Sequence, residues 1–219
     1  ILLAGISLFV SYIYLRSQTK IYVASAKVLI KDPNRGSESK VLDAMNIFTE
    51  KKSIENEIIV LRSSKLMQEV VRELDLYATI YNQGNVQTEE LYGINSPLKF
   101  IATDKSNISG GSKMYFSIDW KKGLVHIDDK KVPFGSTLML NQTTYTIVPN
   151  ESYNRNVVGK NFFVVFSTVA RESSKIIGSL RASPMTYGST ALDVKIETPI
   201  PRKGIDVLNK LFEVYNNEA

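Results

Sequence analysis

The chain contains no cysteine, a single histidine and a single tryptophan. The absence of cysteine excludes disulfides, thiolate metal centres and a cysteine nucleophile, and it leaves the compartment open. The lone His126 is a poor basis for a metal site, since a lone histidine rarely builds one and such sites usually need three or four convergent ligands. A G-x-S-x-G elbow is also missing, so nothing points to a serine triad. Gly110-Gly111-Ser112-Lys113 lacks the G-x-x-x-x-G-K-[ST] spacing and no long helix follows it. It reads as a glycine-rich loop or hairpin.

Long runs of one charge are absent too. The formal charge is +5, from 27 Lys+Arg against 22 Asp+Glu, but the basic residues come only in pairs such as Lys121-Lys122 and Arg202-Lys203. Nucleic-acid binding needs that excess gathered on one face or helix, so the pairs read as solvated surface and no nucleic-acid partner is expected. Hydrophobic residues make up 43% and charged residues 22%, the balance of a folded globular protein.

One apolar run stands out. Residues 1–15, ILLAGISLFVSYIYL, carry no charge and are apolar on every side rather than striped. A membrane helix needs about 20 such residues. The chain starts without methionine and stops inside a helical pattern, so both ends read as cut. The head is expected to be the lower end of a transmembrane helix over 1–16, with Tyr12 and Tyr14 at the interface and Arg16 and Lys20 beyond it. Ala24-Ser25-Ala26 has the form of a signal cleavage site but lies past the apolar run.

Periodicity organises the remainder. In residues 21–30 Tyr22, Ala24, Ala26, Val28 and Ile30 share one face of an expected strand. Asp32 to Ser37 breaks regular structure. Ser53 is the expected N-cap of a helix whose stripe runs Ile54, Ile58, Leu61, Leu66, Val70 and Leu74, bent or broken at Ser63-Ser64. From Pro97 to Asn150 short alternating runs predict about five strands, including 114–120, 124–128, 137–140 and 144–148. FFVVF (162–166) predicts a buried strand. Val169, Ser173, Ile176, Ile177 and Leu180 predict a helix capped by Ser167 and stopped at Ser183-Pro184. ALDVKIE (191–197) alternates, and Pro201 opens a helix lined by Ile205, Leu208, Leu211, Phe212 and Tyr215.

The expected fold class is therefore α+β: a two-layer sheet-and-helix domain over 17–96 and 160–219, an inserted all-β unit over 97–159, and the truncated membrane helix ahead of both. Asp193 and Glu197 share an exposed strand face and Asp128-Asp129 a turn, so neither pair offers the cleft that acid–base work requires. The fragment is expected to be no enzyme and to need no cofactor. Asn107, Asn141 and Asn150 begin N-x-[ST] triplets, which matter only in a glycosylating secretory route. Trp120 and the eleven tyrosines read mainly as core, with sugar stacking as the other use.

Three stretches carry a family resemblance. The apolar span leads into Tyr22-x-Ala24-x-Ala26-x-Val28-x-Ile30. Asn56-Glu57-Ile58-Ile59-Val60-Leu61-Arg62-Ser63 runs on to Leu66, Val70 and Leu74-Asp75-Leu76. Pro201 opens a helix with Leu208-Asn209 and Tyr215. In these the chain resembles the extracytoplasmic domain of the chain-length determinant (Wzz) family, the polysaccharide co-polymerases, which also supplies the amino-terminal half of many bacterial tyrosine autokinases. The β insert looks more like the longer, kinase-fused versions.

The resemblance implies a homo-oligomeric ring in the bacterial inner membrane, its domain facing the periplasm. It implies membrane lipid and a polysaccharide polymerase or exporter as partners, and a kinase module, if present, beyond Ala219. The expected function is a scaffold regulating chain length or export of surface polysaccharide (capsule, exopolysaccharide or O-antigen). A ligand-binding sensor domain of a membrane receptor is the alternative. Candidate oligomer or packing residues are Ile54, Ile58, Leu61, Leu66, Val70 and Leu74, with Ile205, Leu208, Phe212 and Tyr215 on the last helix.

Overall fold

The computed structural model describes residues 2–18, 20–29, 54–84, 87–154, 161–186 and 191–218. Expectations for Ile30, the 32–48 stretch and the Ser53 cap lie outside those residues. The structure mixes helix and sheet as an α+β chain.

Helix α1 (Leu2–Ser17) is 16 residues long. Its described apolar side chains are exposed, among them Leu8, Phe9, Val10 and Leu15. Among the described residues no helix is long and apolar enough to cross a membrane.

Strand β1 (Tyr22–Leu29) follows and pairs antiparallel with β12 (Ala191–Thr198), Tyr22 opposite Thr198 and Leu29 opposite Ala191. On the other edge of β12 lies β11 (Leu180–Pro184), completing a three-stranded sheet. The alternation in 191–197 places Leu192, Val194 and Ile196 on the buried face as expected. A helical layer lies above that face. Residues 54–61 are helical (α2), α3 is Ser64–Glu73, α4 is Val169–Ser179 and α5 is Pro201–Glu218. Helices α4 and α5 lie against the sheet, and α3 packs on both.

The break at Ser63-Ser64 occurs where the sequence predicts it. Ser63 takes extended angles and its hydroxyl accepts from Leu66 N–H, starting a new helix rather than bending the old one. Asp75, at φ 53°, then turns the chain out of α3. The other cap differs from expectation. Ser167, just past the end of the strand Phe162–Phe166, donates its N–H to the Tyr77 carbonyl, and the cap of α4 passes to Thr168, which accepts from Arg171 N–H at 3.2 Å. The end of α4 also differs. The helix stops at Ser179 because Leu180 is drawn into the sheet opposite Ile196, and Ser183-Pro184 ends β11 instead.

A second sheet has six strands in the order β3-β2-β10-β5-β6-β7. These are β2 (Ala78–Gln83), β3 (Thr88–Leu91), β5 (Lys113–Asp119), β6 (Leu124–Ile127), β7 (Lys130–Pro133) and β10 (Phe162–Phe166). FFVVF is thus a buried strand, as expected, and lies between β2 and β5. Asp128 and Asp129 form the turn as expected, and Lys130 and Lys131 open β7. A third sheet, β4-β9-β8, comprises β4 (Leu98–Ala102), β8 (Thr137–Leu140) and β9 (Thr143–Pro149).

The second and third sheets are joined by aromatic rings. Phe100 on β4 meets Phe116 and Phe166 edge-on, at 5.8 and 5.6 Å, and Tyr145 lies 4.5 Å from Phe166. Each such ring stabilises the fold by about 1.5–3 kcal/mol through burial. Tyr77 shares this core and keeps its hydroxyl satisfied: it donates to Asp75 Oδ1 at 2.7 Å and accepts from Ala102 N–H at 2.9 Å.

Candidate functional site

The helical layer is where the sequence places the candidate residues. Ile54, Leu61, Leu66, Val70 and Leu208 are buried, and Ile58, Leu74, Phe212 and Tyr215 pack against the same cluster. Ile205 is the exception at 46% exposed. The stripe therefore serves packing within the chain first. On α2 the next residues round the helix, Ile59 and Val60, stay 68% and 43% exposed, so this layer presents an apolar outer side. The signal for it was present in Ile58-Ile59-Val60-Leu61, which is apolar all round and so has more to cover than one core-facing stripe.

Lysine 203 holds the layer to the β structure. It sits in the first turn of α5, where a cation opposes the helix dipole, so its charge needs local carboxylates. Its ammonium lies 2.6 Å from Glu90 Oε1 on β3 and 3.7 Å from Glu172 Oε1 on α4, all three side chains being nearly buried. Glu172 Oε1 accepts no hydrogen bond among the described residues and relies on this charge and on Lys175, 3.6 Å away. One turn further along α5, Asp206 accepts from the Tyr92 hydroxyl at 3.2 Å and pairs with Arg202 at 3.1 Å. Tyr81 lies over the same carboxylates; burial first, then Glu90 and Glu172, push its phenol up to about 12. At the far end of α5 the Tyr215 hydroxyl donates to Glu57 of α2. Burial, then that carboxylate, raises Tyr215 to about 12.

A cleft of about 280 Å³ opens beside Lys203, between α3, β3, β4 and α5. It has four carboxylates in its wall, Glu73, Asp75, Glu90 and Asp206. Three of them already hold a cation: Asp75 with Lys105 at 2.7 Å, Glu90 with Lys203 and Asp206 with Arg202. Such a wall is an ion-pair network that joins these elements.

His126 lies elsewhere, on β6 opposite Ser117. Among the described residues no group of three His, Asp or Glu is placed to hold a metal ion. Asp193 faces outward beside Lys195, 2.7 Å away, and Asp128 sits at φ 49° in its turn. Gly110-Gly111 is loop, as expected, with Gly111 N–H donating to the Phe166 carbonyl.

Residues 1–74 match the family described as chain length determinant protein, Wzz. The match spans α1, β1, α2 and α3, and it agrees with the resemblance carried by residues 22–30 and 56–76. Comparison with curated proteins gives no match.

Proposed function

We propose that this chain is part of a membrane-anchored, extracytoplasmic scaffold that regulates the chain length or export of a bacterial surface polysaccharide. The observation that carries this reading is the match of residues 1–74 to the chain length determinant family. The scaffold acts without catalysis of its own, sits in the inner membrane with its domain in the periplasm, and engages a polysaccharide polymerase or exporter.

Two structural features support it. Leu8, Phe9, Val10 and Leu15 of α1 are each 59% exposed or more, an arrangement that suits contact with lipid on all sides. The outer side of the helical layer, with Ile59, Val60 and Ile205, supplies an apolar surface on which further copies of the chain assemble. The ion-paired cleft fits a rigid frame that transmits position between helices and sheets.

The experiment is the mass of the full-length protein in detergent, by light scattering, over a range of dilutions. A many-subunit assembly that survives dilution is expected. A persistent monomer contradicts the assembly on which this reading depends.

A further inference from the structure

We infer that the outer face of the six-stranded sheet carries a glycan-binding groove, centred on Tyr115. The register supplies the argument. Across β2, β10 and β5, Tyr81, Phe163 and Tyr115 stand side by side. Tyr81 stacks on Phe163 at 5.0 Å, and Tyr115 leans on Phe163 at 5.6 Å. Their neighbours along the strands point to the other side, where Phe116 and Phe162 stack in the core. Phe163 is covered, with the Lys113 ammonium 3.9 Å from its ring centroid and 4.7 Å from that of Tyr115, while Tyr115 remains 49% exposed in the middle of the sheet.

A polar row runs alongside this aromatic row. Gln83, Asn161, Ser117 and His126 line a shallow groove of about 420 Å³ together with Tyr115 and Asp128. Ser117 and His126 are direct cross-strand partners, and Gln83 N–H donates to the Asn161 carbonyl at 2.8 Å. The groove thus offers amide, hydroxyl, imidazole and carboxylate groups beside a flat ring. A pyranose asks for that combination: its C–H face stacks on an aromatic ring while its hydroxyls need both donors and acceptors.

The geometry favours a polymer over other occupants. A small molecule is held by burying most of its surface, and this groove is open and shallow. An extended peptide binds by adding to a sheet edge, but β10 and β5 are paired on both sides. An open platform suits the interior of a saccharide chain, which passes through without its ends being enclosed.

The identity of the glycan as surface polysaccharide rests on the proposed function; the groove itself rests on register and side-chain chemistry. The test titrates the full-length protein in detergent, by calorimetry, with oligosaccharides cut from the producing cell's own surface polysaccharide. It is run on the wild type and on Tyr115→Ala and Asn161→Ala, with thermal unfolding to check each fold. We expect saturable binding that each substitution weakens at least about tenfold, the loss of one stacking or hydrogen-bonding contact. Absence of binding to wild type, or equal binding by the variants, overturns the groove. In parallel, the polysaccharide size profile is compared in cells with and without the protein. An altered profile without oligosaccharide binding removes the groove alone. An unaltered profile with Tyr115-dependent binding removes the polysaccharide-regulating function and leaves the groove standing.

Discussion

The ammonium of Lys203 lies 2.6 Å from Glu90 Oε1, tying the first turn of α5 to the edge strand β3. The two residues are 113 positions apart in sequence, and their side chains are 10% and 12% exposed. Replacing Lys203 by Met strands two buried carboxylates, Glu90 and Glu172. Breaking a buried pair from one side costs about 3–5 kcal/mol. Urea unfolding of Lys203→Met should show a loss of that size, and Lys203→Met with Glu90→Leu should lose less, because one carboxylate is removed with its partner. Equal losses would refute the pairing as the cause.

Two helical glycines should respond in opposite directions to alanine. A Cβ on Gly204 would lie 2.8 Å from Thr198 Cγ2 and 2.9 Å from Ala24 Cβ, where α5 rests on β1 and β12. The gain in helix propensity is about 1 kcal/mol, and overpacking costs about 1–3 kcal/mol. Gly204→Ala is therefore expected to lose about 1 kcal/mol. At Gly178 a Cβ meets nothing within 4 Å, so Gly178→Ala is expected to gain about 0.5 kcal/mol. Thermal unfolding of both variants reads the difference in sign.

Four tyrosines, Tyr77 buried and Tyr81, Tyr92 and Tyr215 partly buried, set the alkaline limit of the fold. Burial raises Tyr77 and Tyr92 well above the usual phenol range, and holds Tyr81 and Tyr215 at about 12. A folded-state pKa above the unfolded value near 10 binds the proton more tightly in the native state. Its contribution is full below pH 10 and is lost as pH rises through about 12. Absorbance titration of tyrosinate should show a class that resists ionisation until the protein unfolds in that window. Titration of every tyrosine near 10 while the fold persists would contradict their burial.

On α2, Ile59→Asp should leave the fold intact. The side chain is 68% exposed, so the stability change should stay within about 0.5 kcal/mol. The assembly should respond instead, its light-scattering mass falling toward the monomer. An unchanged mass would move the interface away from this face.

Local periodicity made much of the fold legible. The stripes of α3 and α5, the alternation of 191–197 and the apolar block 162–166 each carry their structure in their own spacing. Strands β2 and β3 did not, because ATIYNQ and TEEL are polar stretches that become strands by pairing with β10 and with each other. Thr168 took the cap from Ser167 for a similar reason: the Ser167 N–H is engaged by the Tyr77 carbonyl, far along the chain. The site was least legible of all. Lys203, Glu90 and Glu172 look like ordinary surface charges until three elements bring them together, and the row of Tyr81, Phe163 and Tyr115 exists only through strand register.

The most direct measurement is the size distribution of surface polysaccharide, resolved by gel electrophoresis, in cells that lack the full-length protein and in the same cells after it is restored. A regulator of chain length or export predicts that its loss alters the distribution or the amount of exported polymer, and that restoration returns the original pattern. Identical patterns with and without the protein would contradict the account.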